Sequence, residues 1–250
     1  MIGLIFFIFG LVFGSFFNVC IYRIPREENI AYPPSHCAKC GRELKAYELI
    51  PVLSWVILRG RCKGCNEKIS IIYPLIELIT AFMFLIMYLN FGLTINTFKY
   101  IVLFSILIIA STIDIKTKEV YFSVSLVGFL FGISFSIIEI INGKPLKEGI
   151  ISILIPLIIV GIIYLISKRF DGFGAGDLEV YLFVALYLSP ILMGVTLIVS
   201  IILGGILAIF LLIIGKRKME MPFVPFIALG TFISVLWGID ILNVYLNTFI

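Results

Sequence analysis

The chain has 250 residues, 61% of them hydrophobic and 14% charged, and carries a net charge of +4. Ordinary soluble domains are roughly 45–50% apolar and about 25% charged, so this composition excludes a soluble globular enzyme and a disordered chain and makes the bilayer the natural solvent. Nucleic-acid binding is disfavoured as well, because the charge is small and the basic residues have a membrane explanation.

Apolar stretches of about 20 residues predict spans near 2–22, 72–90, 98–113, 120–141 and 149–167. Leu178 to Gly215 is too long for one span, and Ser189-Pro190 divides it into a short helix and a longer one. A last span runs from about Phe226 to the C-terminus. The expected fold class is an all-α integral membrane protein with about eight transmembrane helices. It is organised as a first helix (1–22), a cytosolic loop (23–70) and a transmembrane core (71–250). The first segment has no basic stretch before its apolar run, which predicts a retained span rather than a cleaved signal peptide.

Lys and Arg set the orientation. With an outside N-terminus, the inside loops hold nine in 23–68, Lys116, Lys118, Lys168, Arg169 and three in 216–218, which is 16 of 19. Lys99, Lys144 and Lys147 fall outside. The excess of positive charge on cytoplasmic loops then places both termini outside.

The long loop contains Cys37-Ala-Lys-Cys40 and Cys62-Lys-Gly-Cys65. Two such pairs predict a four-thiolate structural zinc site, each turn aiming two sulfurs at one tetrahedral ion. Gly41 and Gly64 suit tight turns, and Lys39, Arg42, Arg61 and Lys63 offset the negative centre. The other readings are two disulfides or free thiols, which a reducing compartment sets apart. Four Cys ligands leave no open position for water, so the metal folds a segment too small to hold a core of its own. Cys20, inside the first span, is expected to pack. His36, the one histidine, is a substitute ligand or a solvated side chain. With a single histidine, neither a Ser-His-Asp site nor an HExxH site exists.

Two acids sit at the predicted cytosolic interface. Asp114 follows the apolar run Ile101–Ile113, and Asp177 closes Gly172-Phe-Gly-Ala-Gly-Asp. Two neighbouring carboxyls can hydrolyse a peptide without metal or covalent nucleophile: one keeps a proton and polarises the carbonyl, while the other activates water. Gly172, Gly174 and Gly176 would let an extended substrate approach the backbone. Alternatively, Asp177 is an N-cap and Asp114 an ordinary interfacial charge. Asp171 and Glu119 compete for the two roles. Glu77, early in the second span, is a candidate for substrate binding or a partner of Arg23 or Lys68.

Taken together these elements resemble the bacterial type IV prepilin peptidases, which are polytopic GxGD-type aspartic proteases. The matching motifs, in family order, are Gly14-Ser-Phe-Phe-Asn-Val-Cys-Ile-Tyr-Arg-Ile-Pro25, the tetracysteine loop, Tyr73-Pro-Leu-Ile-Glu77, Thr112-Ile-Asp-Ile115, Gly174-Ala-Gly-Asp177 and Pro222-Phe-Val-Pro-Phe-Ile-Ala-Leu-Gly230. The resemblance implies Asp114 and Asp177 as the catalytic pair. It also implies prepilin or pseudopilin substrates with a basic leader, a glycine before the cleavage point and then a hydrophobic helix. For many members it adds N-methylation of the new terminus with S-adenosylmethionine. The implied location is the bacterial cytoplasmic membrane, with the active site toward the cytosol. Glu179 stands where the family usually has Lys, and Glu119-Val-Tyr-Phe replaces the usual Leu-Pro after the first aspartate. The competing functions are a transporter, which would distribute its acids through the membrane depth, and a zinc-dependent membrane scaffold.

Overall fold

The computed structural model describes residues 1–167, 174–215 and 221–249. Its described helices are α1 (Ile2–Arg23), α2 (Leu53–Ile57), α3 (Ile72–Phe91), α4 (Ile95–Thr117), α5 (Phe122–Ile141), α6 (Leu146–Ser167), α7 (Ala175–Ala185), α8 (Pro190–Ile213) and α9 (Val224–Phe249). Seven of these are long and apolar enough to cross a membrane: α1, α3, α4, α5, α6, α8 and α9. Among the described residues there is no strand, only isolated bridges at His36–Glu43 and Arg61–Lys68. The chain is thus a multi-pass, all-helical membrane protein.

The predicted sixth span is the short helix α7, of 11 residues. At 1.5 Å per residue it is about 16 Å long, roughly half the hydrocarbon thickness. The break comes where expected: Ser189 caps α8 and Pro190 opens it, a position where a missing N–H costs nothing.

The chain divides into two compact units, Met1–Ile101 and Val102–Ile250. In the first, α1 packs along α3. The contact is close because Gly10 and Gly14 face it: a Cβ at Gly10 would lie 2.5 Å from the Ala81 Cα, and one at Gly14 would lie 2.7 Å from the Glu77 Cα. Small residues four apart allow this backbone approach in lipid, where packing rather than water expulsion joins helices. Arg23 ends α1 and gathers the loop, donating to the carbonyls of Asn29, Ile30 and Pro33 at 2.6–3.0 Å. Asn18 donates to the Tyr73 carbonyl at 3.0 Å. These two conserve the hydrogen bonding of a chain leaving the bilayer, where a bare carbonyl is costly.

In the second unit α7 is enclosed by α5, α6, α8 and α9. Val180, Tyr181, Phe183 and Val184 on α7, with Tyr187 just beyond it, are all fully buried. A short buried helix leaves orphan carbonyls at its end. Here Ser136 donates to Leu186 O at 2.9 Å and Ser152 to Leu188 O at 2.8 Å. Beside it α8 and α9 pack closely at Gly230, whose absent Cβ would lie 2.9 Å from Thr196 O.

Candidate active site

Asp114 lies near the C-terminal end of α4 and is 4% exposed. Its Oδ2 accepts a hydrogen bond from the Val224 N–H at 2.9 Å. Val224 is the first residue of α9, so a carboxylate sits at the positive end of a 26-residue helix. Residues 110 apart in sequence are joined by this bond. That gives the late Pro222-Phe-Val-Pro element a physical task which its sequence does not reveal: it presents a backbone donor to Asp114.

Asp177 is the third residue of α7. Gly174 occupies the N-cap, and its N–H donates to Asp177 Oδ2 at 3.3 Å. The aspartate is therefore within the first turn, not the cap itself, and reaches back to it. Asp114 is close enough for its charge to bear on Asp177. The approach is steric as well: a Cβ on Gly176 would come within 2.6 Å of the Val120 Cβ, in the turn that follows α4. Glycine is needed at 176 for space. Gly174 is extended, with φ −78° and ψ 145°, and its absent Cβ would meet nothing closer than 3.5 Å, so neither space nor backbone angle requires glycine there.

One turn beyond Asp177, the Tyr181 hydroxyl meets Ser200 Oγ at 2.5 Å, and Ser200 donates to Thr196 O at 2.7 Å. The Tyr181 ring is 6.5 Å from that of Phe223, the neighbour of Val224. This buried chain ties α7 to α8 and flanks the start of α9. Only its positions one turn from an aspartate and next to the Pro-Phe element could have indicated it in the sequence.

The competing acids are placed differently. Glu119 is exposed and accepts from the Tyr121 hydroxyl at 3.1 Å. Glu179 is half-buried on α7. Gly172 and Asp171 lie outside the described residues. Glu77, in the first unit, is 7% exposed and accepts from the Val52 N–H at 2.7 Å. That backbone amide and the Ser15 side chain are its partners, while Arg23 is engaged by loop carbonyls.

The four cysteines converge. One sulfur from each of Cys37, Cys40, Cys62 and Cys65 lies within 4.8 Å of the others, and none forms a disulfide. Cys37 Sγ and Cys65 Sγ are 3.8 Å apart. A tetrahedron with metal–sulfur bonds of about 2.3 Å has edges of nearly that length. The two knuckles repeat one plan. Cys37 N–H donates to Arg42 O and Gly41 N–H to Cys37 O; Cys62 N–H donates to Glu67 O and Asn66 N–H to Cys62 O, all at 2.8–2.9 Å. Gly41 takes φ +70°, as expected. In the second knuckle the left-handed residue is Asn66 (φ +61°) rather than Gly64, which instead lies against Arg42. Backbone N–H groups of Cys65 and Gly64 hold the Cys62 thiol down to about 6, while burial and the neighbouring sulfurs push the Cys65 thiol up to about 11, as expected where crowded thiols cannot all ionise without a cation. Arg42 clasps Glu48 with bonds of 2.7 and 3.1 Å and holds its carboxyl below the ordinary range. His36 lies outside the sulfur cluster, within 3.0 Å of the Pro34 carbonyl.

These features define a polytopic membrane protein with a metal-competent cysteine module and a separate aspartate centre. Comparison with known proteins gives that class its family. Residues 8–91 match the bacterial peptidase A24 N-terminal domain, and residues 101–209 match the type IV leader peptidase family. The chain is 29% identical over 245 residues to the prepilin leader peptidase/N-methyltransferase of Bacillus subtilis (strain 168), covering 97% of each. It is 28% identical to the protein of that name from Pseudomonas putida, over 94% of this chain and 90% of the relative. A third, from Myxococcus xanthus (strain DK1622), is 42% identical over 128 residues, 51% of this chain and 38% of the relative. No solved structure matches the chain. The chain belongs to the type IV leader peptidase family and is a membrane peptidase.

Proposed function

We propose that this peptidase removes the basic leader from prepilin or pseudopilin precursors at the cytosolic face of the bacterial cytoplasmic membrane, with Asp114 and Asp177 as its catalytic pair. The observation that carries the reading is the pairing of these two carboxyls. They stand on separate helices, 63 residues apart in sequence, and each accepts a backbone N–H. Two carboxyls in electrostatic contact share a proton more easily than they both ionise. The ionised member takes a proton from water as that water attacks the scissile carbonyl, while the protonated member donates to the carbonyl oxygen; when the gem-diol collapses, the first member passes its newly gained proton to the leaving amine and the second takes back the hydroxyl proton, which restores the pair. The proton belongs to the pair rather than to either residue. Gly176 admits the chain closely at the mouth of α7, with Gly174 and Gly172 preceding it. The positive-inside reading of the basic loops supports the cytosolic side for the pair, where a basic leader remains.

The cysteine module suits zinc, through Cys37, Cys40, Cys62 and Cys65: four thiolates in tetrahedral reach favour a closed structural site. The relatives' N-methyltransferase name adds a second activity. The first unit contains a cavity of about 420 Å³ whose lining includes Tyr22, Tyr73, Trp55 and Glu77 together with the basic Arg23, Lys39, Arg42, Lys63 and Lys68. Aromatic faces and a carboxylate suit the sulfonium of S-adenosylmethionine, which when bound supplies a methyl group to the new terminal amine. Glu77 and these rings would hold it.

The test is a cleavage assay in membranes, with a prepilin co-expressed with wild type, Asp114→Asn, Asp177→Asn or Asp171→Asn and the pilin N-terminus read by mass spectrometry. Leader loss with wild type and Asp171→Asn but not with the other two is expected, and a product heavier by one methyl group adds the second activity. Cleavage surviving both aspartate changes overturns the aspartyl mechanism and returns the protein to the scaffold or transporter reading.

A further inference from the structure

In the loop after α1, Leu49-Ile-Pro-Val-Leu-Ser-Trp-Val-Ile-Leu58 is a run of ten residues without a charge, apolar throughout except for Ser54. It coils around α2: Ser54 N–H donates to Ile50 O at 3.0 Å and Leu58 N–H to Ser54 O at 2.9 Å. One face turns inward. Trp55 Nε1 donates to Ile69 O at 3.1 Å, and the indole lies against Gly60. The other face carries Leu49, Ile50, Leu53, Val56 and Ile57. Among the described residues nothing covers it: Leu53, Val56 and Ile57 are 59%, 58% and 76% exposed. A continuous aliphatic face is not left to water without cause. A run of this length is too short to cross a bilayer and suits an interfacial segment.

Position supplies the second argument. Glu77 lies five residues beyond Ile72, the first residue of α3, which is about 7.5 Å along the helix axis. The 2.7 Å bond from Val52 N–H to Glu77 therefore pins the segment beside the body of a spanning helix. Val52 takes φ +61° there, a conformation a β-branched residue rarely adopts. Ile71, just before α3, and Ile72 and Leu75 on it are themselves exposed, so the lipid-facing surface of α3 reaches this level. Arg59, Arg61 and Lys63 follow the apolar run at its edge, where acidic headgroups attract basic side chains.

We infer that α2 and its flanks form an interfacial anchor, with the face of Leu49, Ile50, Leu53, Val56 and Ile57 sunk into the headgroup–acyl boundary of a phospholipid bilayer. Helices of this kind enter that boundary by roughly 5–10 Å, the depth that Glu77 sets. The cysteine module is thereby held to the membrane by lipid contact as well as by its chain connections.

The experiment uses the full chain in phospholipid nanodiscs, with p-benzoylphenylalanine placed at Ile57, at Leu53 or, as a control, at exposed Glu43. After irradiation, peptides are analysed for phospholipid adducts, and the metal content of each variant reports the state of the cysteine module. Adducts at Ile57 and Leu53 several-fold above those at Glu43 are expected. Equal levels at all three positions overturn the anchor, as does cross-linking of Ile57 in native membranes to a protein in place of lipid. A second reading probes the outer face directly: in the Trp237→Phe protein, the fluorescence added by Leu53→Trp, taken as the difference from Trp55 alone, should be quenched by lipids brominated near the headgroup and shielded from iodide, and the reverse pattern overturns the inference.

Discussion

The cysteine module and the aspartate centre solve the same problem, bringing together groups of like charge, over different distances. The cysteines fall within 29 residues and are aimed by two copies of a local turn, each closed by its own backbone bonds. The aspartates are set by three helix ends. Asp114 takes its donor from α9, and Asp177 is brought near by the fit of Gly176 against Val120. A local site is built by turn chemistry and completed by a metal; a distant one depends on how helices pack, so it is sensitive to changes that touch neither acid.

The largest effect should come from the acids. Asp114→Asn and Asp177→Asn are each expected to lower the cleavage rate by about 10²–10⁴-fold, with thermal unfolding in detergent close to wild type. A comparable loss of fold would mean that the acids are structural. Next, Gly176→Leu should almost abolish cleavage by driving into Val120, an overpacking cost of roughly 1–3 kcal/mol. Gly176→Ala paired with Val120→Ala should recover activity relative to Gly176→Ala alone. Failure of that rescue would separate the glycine from the Val120 contact.

Cys62→Ser tests the other region. It should release the metal, measured by elemental analysis, and lower protein yield, while the remaining membrane-inserted enzyme keeps the greater part of its cleavage. A rate loss equal to that of the aspartate variants would erase the distinction between the two sites. Tyr181→Phe removes one buried hydrogen bond to Ser200, worth about 1 kcal/mol, and should reduce thermal stability slightly and cleavage modestly. The smallest effect is expected at Glu48. Arg42 holds the folded carboxyl below its ordinary 4.5, so its contribution is complete above that value and fades as the pH falls through the lowered one. The stability deficit of Glu48→Gln, followed by denaturant unfolding of the metal-loaded protein, should therefore be present at neutral pH and shrink in acid. A deficit that grows in acid would contradict the ion pair.

Much of the architecture was readable along the chain. The predicted spans at 2–22 and 72–90 differ from α1 and α3 by a single residue at one end. The Ser189-Pro190 break is where α8 starts. These succeed because hydropathy and proline act over a few turns of one helix. The membrane, the all-helical class and the pairing of the two cysteine turns were thus determined by the sequence itself. The role of Val224, the enclosure of α7, the steric need at Gly176, the use of Asn66 in the second knuckle and the bond between Glu77 and Val52 were not. Tertiary structure decided them, because each depends on which backbone comes to lie beside a residue. Inside a bilayer that choice is made by close packing and by satisfying polar groups without water, and neither leaves a periodic signal in the sequence.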